Sequence, residues 1–179
     1  VELTWMDSAR LINDAYLSYD VTGDKRFQIQ AGQFRVPFGR QELTSSMSQQ
    51  FADRAIASDE FAKGRDLGVM AWGQLLNNKL DYRAGVFNGG GFGTSIRGND
   101  NTKFDYVARL QWQPSGEVKF SEADFESKDK PIYALAVEYE NNDQRGVTPD
   151  KEDYRKSTLG ADGVFKYKGA FLFGEYFHS

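Results

Sequence analysis

Apolar and polar residues alternate along most of this chain, with the two-residue period of strands whose faces meet different surroundings. Eight segments read as strands, over residues 11–21, 26–34, 66–76, 80–88, 104–113, 132–140, 158–168 and 170–178. In the first, Ala15, Leu17 and Tyr19 oppose Asp14, Tyr16, Ser18 and Asp20. In the third, Leu67, Val69, Ala71 and Leu75 form the apolar face; in the fourth, Leu80, Tyr82, Ala84 and Val86 oppose Asp81, Arg83 and Gly85. The fifth sets Phe104, Tyr106, Ala108, Leu110 and Trp112 against Asp105, Val107, Arg109, Gln111 and Gln113. The sixth sets Tyr133, Leu135, Val137 and Tyr139 against Ala134, Ala136 and Glu138, and the seventh sets Leu159, Ala161, Phe165 and Tyr167 against Asp162, Val164 and Lys166. Nearly every polar face carries ionised groups.

The connections alternate in length. Residues 22–25, 77–79 and 168–169 are short turns, whereas 35–63, 89–103 and 141–156 are long; the charged stretch 115–130 is the exception. Short turns at one rim and long loops at the other is the pattern of a transmembrane barrel. Strands of about ten residues fit a tilted membrane crossing better than the five or six usual in soluble sheets. Aromatics near strand ends, Tyr19, Tyr82, Trp112, Tyr139 and Tyr167, fit an interfacial girdle, although β-propensity alone also places aromatics in strands. The expectation is an all-β, antiparallel transmembrane β-barrel, one domain over residues 1–179, incomplete at both ends as an internal piece of a longer protein.

The loop over 35–63 is the most informative stretch. Pro37 and Gly39 break the preceding strand, and a long loop between two clear strands is usually functional or disordered. Phe51, Ala55 and Ile56 lie at helical spacing, with Ser46 or Ser48 as candidate N-caps and Gly64 as a stop, so a short helix is predicted and the loop reads as ordered. It carries Arg35, Arg40, Glu42, Asp53, Arg54, Asp59 and Lys63, with Arg65 just beyond. A solvated surface loop with weak ion pairs accounts for such charges; so does a loop folded into a pore, where mixed charges filter solutes.

Composition narrows the choices. A formal net charge of −4 argues against nucleic acid as the main partner. No apolar run is long enough for a spanning helix, a test that strands escape. The chain has no cysteine, hence no disulfide framework or thiolate chemistry. The glycine-rich run 88–93 is followed by no helical pattern that would offer an anion a helix N-terminus. Asn99, Asp100, Asn101 and Asp105 lack calcium-loop spacing. His178 is the sole histidine, which argues against a His-based metal site or triad. The pairs Glu122/Asp124 and Asp150/Asp153 sit in charged connections and read as solvated surface. No enzyme, metal or cofactor is expected.

Several runs together resemble a known family. They are Asn13–Asp20 (NDAYLSYD), Gln30–Arg40 (QAGQFRVPFGR), Leu43-Thr-Ser-Ser46, Phe51–Ile56 (FADRAI), Gly64-Arg-Asp-Leu-Gly68, Gly85-Val-Phe-Asn-Gly89, Asp105-Tyr-Val-Ala-Arg109 and Pro114-Ser-Gly116. In order and spacing they resemble the phosphate-selective porin O and P family, over residues 13–126 directly and beyond that by pattern. The resemblance implies a sixteen-stranded porin of the outer membrane of a Gram-negative bacterium, a homotrimer among lipid and lipopolysaccharide, with an inward-folded loop at 35–63. It implies a constriction of Arg35, Arg40, Arg54, Lys63 and Arg65 facing Glu42, Asp53 and Asp59, and a pore wall of Asp81, Arg83, Asp105, Arg109, Glu138 and Asp162. Small hydrophilic solutes or anions, phosphate among them, would diffuse through. Arg83 and Arg109 are offset by carboxylates and form no closely spaced arginine run, which fits a general porin as well as a phosphate channel. Two rivals make different demands. A barrel sheathing a protein partner would be plugged, and a soluble β-sandwich binding carbohydrate would pack its aliphatic faces on each other.

Overall fold

A computed structural model of the chain describes residues 13–90, 103–124, 127, 129–144 and 154–179. The alternating segments form one antiparallel sheet in which each strand pairs with its sequence neighbours, in the order β1-β2-β3-β4-β5-β6-β7-β8. The strands are β1 (Ala15–Asp20), β2 (Gln28–Arg35), β3 (Arg65–Leu75), β4 (Leu80–Phe87), β5 (Asp105–Trp112), β6 (Ile132–Gln144), β7 (Tyr154–Tyr167) and β8 (Ala170–His178). Among the described residues β1 and β8 do not pair, so the sheet is open at both edges.

Short turns follow local chemistry. The Asp20 carboxylate accepts main-chain N–H bonds from Thr22, Gly23 and Lys25 at 3.2, 2.9 and 3.0 Å, an Asx-type turn. At the last hairpin Lys168 and Gly169 have φ of 48° and 84°, the paired positive values a tight two-residue turn requires.

The register puts every predicted apolar face on one side. Leu17 is 84% exposed, Val137 60% and Leu172 70%, and Val69, Val86, Leu110, Leu135 and Leu159 share that exposed face. The opposite face is the buried one, and it is polar: Gln28, Gln30, Asp81, Asp105, Arg109, Gln111, Glu138, Glu140, Asp162 and Lys166 are all buried. This inverts the arrangement of a soluble sheet.

The polar face is covered by chain from both rims. The β2–β3 loop carries a helical turn α1 (Arg40–Leu43), a 3-10 turn (Ser46–Ser48) and a short helix α2 (Ile56–Phe61). Val36, Phe38, Phe61 and Ala62 pack with Phe34, Met70, Phe87 and Val107 of the wall. From the other rim, the β5–β6 connection places Val118 against Ala134, Val164 and Phe171. The sheet must curl to allow this. Six strand spacings separate β2 from β8, roughly 29 Å if flat. Three extended residues from Arg35 to Phe38 and two phenyl side chains reach about 18 Å, yet the Phe38 and Phe177 rings lie 5.6 Å apart. The curl is concave on the polar side.

Some expectations need correction. The loop helix begins at Ile56 with Ala55 as its N-cap; Ser46 and Ser48 lie within the 3-10 turn, and Phe51 sits in a bend, exposed. Helical spacing is met there by residues that are all exposed, so no packing favours a helix over 51–55. The loop expected over 141–156 is partly strand: Asn141, Asn142 and Asp143 pair with Ser157, Lys156 and Arg155. Backbone pairing there outruns the apolar alternation, because these strand ends are polar on both faces. Tyr139 consequently stands inside β6 rather than at its end. The beginning of the first strand, the candidates Asn99, Asp100 and Asn101, and the pair Asp150/Asp153 lie outside the described residues.

Candidate functional site

The β2–β3 loop is tied down at its neck and then across the sheet. Val36 N donates to Gly64 O at 2.8 Å, closing the neck. Gly39, at φ 75°, donates its N–H to both Glu138 carboxylate oxygens at 3.1 and 3.0 Å. A side chain there would be strained. Gln41 N donates to Glu175 Oε1 at 2.8 Å. These bonds bring α1 over β6 and β8.

Beneath α1 lies a buried ionic cluster. Arg109 pairs through Nη1 with Glu138 Oε2 and through Nη2 with Asp162 Oδ2 at 2.6 Å. Arg40 Nη1 stands 3.9 Å from Asp162 Oδ1 and donates to Gln111 Oε1 at 3.0 Å. Burial pulls the Arg40 guanidinium down to about 10, with Asp162 opposing the shift. Thus four of the expected pore-lining residues, Arg40, Arg109, Glu138 and Asp162, meet, but in a sealed cluster joining loop to wall. A closed loop edge has the same construction: Lys63 Nζ bonds Asp105 Oδ2 at 3.0 Å and pairs with Glu140.

The remaining loop charges divide. Arg35 Nη1 donates to two main-chain carbonyls, Glu42 O at 2.6 Å and Thr44 O at 2.7 Å. Arg54 Nε meets Glu42 Oε2 at 2.9 Å; burial pushes the Glu42 carboxyl above its ordinary value, and Arg54, Arg35 and Arg65 oppose this. Arg65 makes a two-pronged pair with Asp14 at 3.0 and 2.9 Å. Asp53 and Asp59 are exposed on the loop. Arg83 bonds Asp81 at 2.9 Å.

The β5–β6 connection contributes what the sequence did not reveal. Glu122 and Asp124 are 5% and 7% exposed rather than solvated. Glu122 accepts from Gln41 Nε2 and Gln50 N, both at 2.9 Å, and its own N–H donates to Ser48 O at 2.8 Å. Asp124 Oδ2 accepts from Gly169 N at 2.9 Å. Lys166 Nζ bonds Ser121 Oγ and Ala123 O at 2.5 and 3.1 Å. Phe120 is placed against three guanidiniums, Arg40, Arg83 and Arg109, at 4.7, 5.2 and 5.8 Å from its ring centre. The only sequence signal was negative: this was the one long connection on the short-turn rim.

Glu122→Ala should free the two segments from each other. A hydrogen bond to a charged group contributes about 1.5–3 kcal/mol, and about 1.4 kcal/mol is tenfold in an equilibrium. Trypsin cleavage at Arg54 and Lys119 of the folded protein should therefore quicken at least about tenfold; an unchanged cleavage rate would show that Glu122 does not join them.

One open cavity of about 510 Å³ remains beside the loop. It lies over β1–β4, lined by Asp14, Tyr16, Gln30, Phe34, Arg35, Met70, Trp72, Arg83 and Phe120. Of the outward aromatics, Trp112 packs edge-on against Tyr133 at 5.9 Å, and Tyr82 Oη donates to Arg26 O at 2.8 Å. Tyr19 and Tyr167 stand at the short-turn ends of β1 and β7. Among the described residues no group of His, Cys, Asp and Glu has the arrangement of a metal site.

A family model described as phosphate-selective porin O and P matches residues 4–162. No match was found among curated proteins or among solved structures.

Proposed function

This chain belongs to the phosphate-selective porin O and P family, and from that premise we propose that it forms wall and constriction of an outer-membrane porin. Small hydrophilic solutes or anions diffuse passively through the complete barrel of sixteen strands, assembled as a homotrimer among lipid and lipopolysaccharide. The observation that carries this reading is the inverted sheet. Leu17, Val69, Leu110, Val137 and Leu172 are exposed while Arg109, Glu138 and Asp162 are buried. A contiguous apolar face of this kind is a liability in water and the ordinary exterior of a barrel in lipid. It disfavours the soluble sandwich, whose aliphatic faces would be covered.

Residues 36–64 act as the constriction by lying on the concave polar face. The arginines deepest under that loop are matched by carboxylates, so their field on a passing ion is small. The full-length protein in planar bilayers is expected to give stepwise ohmic currents in potassium chloride. Under a salt gradient the reversal potential should show only a modest anion preference. Silent bilayers together with a stoichiometric co-purifying protein would replace the porin with the partner-sheathing barrel.

A further inference from the structure

The open cavity over β1–β4 has an unusual wall for a channel of hydrated inorganic ions. Tyr16, Phe34, Trp72 and Phe120 supply aromatic surface, and Arg35 and Arg83 supply positive charge. The charge is modest. Arg35, Arg65 and Arg83 stand against Asp14 and Asp81, with Arg65 committed to Asp14 and Arg83 to Asp81. Arg35 differs, because its guanidinium bonds neutral carbonyls and borders the cavity, with Glu42 and Asp14 as neighbouring carboxylates rather than hydrogen-bonded partners. Arg83 lies over the rings of Trp72 and Phe120, at 5.9 and 5.2 Å.

A multiply charged phosphate needs several convergent donors to replace its water. The donors under Phe120 are committed to Glu138, Asp162 and Gln111. An anion with one charge and a flat apolar body asks for less: one cation, and aromatic faces to cover the rest. The volume, about 510 Å³, is in the range that holds a small organic ligand.

We propose that this cavity binds singly charged organic anions with a flat apolar body, such as aromatic carboxylates, in preference to inorganic phosphate, and that Phe120 sets the preference. Phe120 forms one wall and caps the arginines behind it. The inference rests on the porin reading.

The test is block of chloride current through the full-length protein by benzoate and by inorganic phosphate at neutral pH. Benzoate should half-block at a concentration about tenfold below phosphate. Phe120→Ala should erase that preference by raising the benzoate concentration needed, with the phosphate one little changed, because the guanidiniums behind the ring stay paired. Phe120→Leu keeps the bulk and removes the ring; it should lose benzoate block, and it decides the matter if the alanine variant does not assemble. Equal or stronger block by phosphate in the unaltered protein, or a benzoate-to-phosphate ratio untouched by both variants, overturns the proposal while leaving the porin standing. Absence of any chloride current overturns the porin and the proposal together.

Discussion

Arg109→Ala is expected to destabilise the protein by about 3–5 kcal/mol, the size seen when one partner of a buried ion pair is removed. Arg109 is the cation shared by Glu138 and Asp162, and all three are buried. Without it, among the described residues Asp162 keeps Arg40 at 3.9 Å, while Glu138 keeps the Gly39 N–H. Two carboxylates would face each other with too little compensation. The loop is the part that can yield, since Gly39 and Arg40 belong to it. Reversible urea unfolding in lipid vesicles, followed by tryptophan fluorescence, reads the loss directly. Arg109→Gln combined with Asp162→Asn should recover part of it, because a neutral pair asks less of its surroundings. A loss under about 1 kcal/mol for Arg109→Ala would mean water reaches the cluster and the charges are ordinary surface pairs.

Val137→Arg should be the second most damaging change, at about 2–4 kcal/mol, the cost of a cation facing lipid near mid-membrane. Val137 lies on the outward face of β6, paired with Leu110 on one side and Ala161 on the other. The prediction separates environments sharply. A residue 60% exposed to water tolerates arginine within about 0.5 kcal/mol; the same residue facing acyl chains does not. The same unfolding assay in vesicles applies, and a shift within about 0.5 kcal/mol would place this face in water and end the membrane reading.

The alternation of Leu80, Tyr82, Ala84 and Val86 with Asp81, Arg83 and Gly85 is decided within a single strand, and the observed register keeps those faces. Strand order follows for the same reason, since a meander needs only neighbours. Two things are decided by distant chain and were not legible. Polar pairs such as Asp143 with Arg155 continue the β6–β7 ladder past the apolar belt, where hydropathy carries no signal. Glu122 and Asp124 look like surface carboxylates until Gln41, Gln50 and Gly169 are brought to them. The charged residues of the loop were recognisable as special, but their division into a sealed cluster and an open cavity depends on which wall strand each one meets. Arg35 and Arg40 are five positions apart in sequence; one borders the cavity and the other is closed in with Asp162.

The span of the loop's anchors also fixes when it can form. Its bonds to Glu138 and Glu175 join residues 99 and 134 positions apart. Contacts that distant are reached slowly, because the intervening chain must first be closed. The loop is synthesised early, yet its dock is complete only once β8 has added to the sheet edge. Until then Phe38 lacks Phe177 and part of the concave face is wet, which makes the half-built sheet a species for chaperones to hold. The loop therefore seats last, after the wall around it has been zipped.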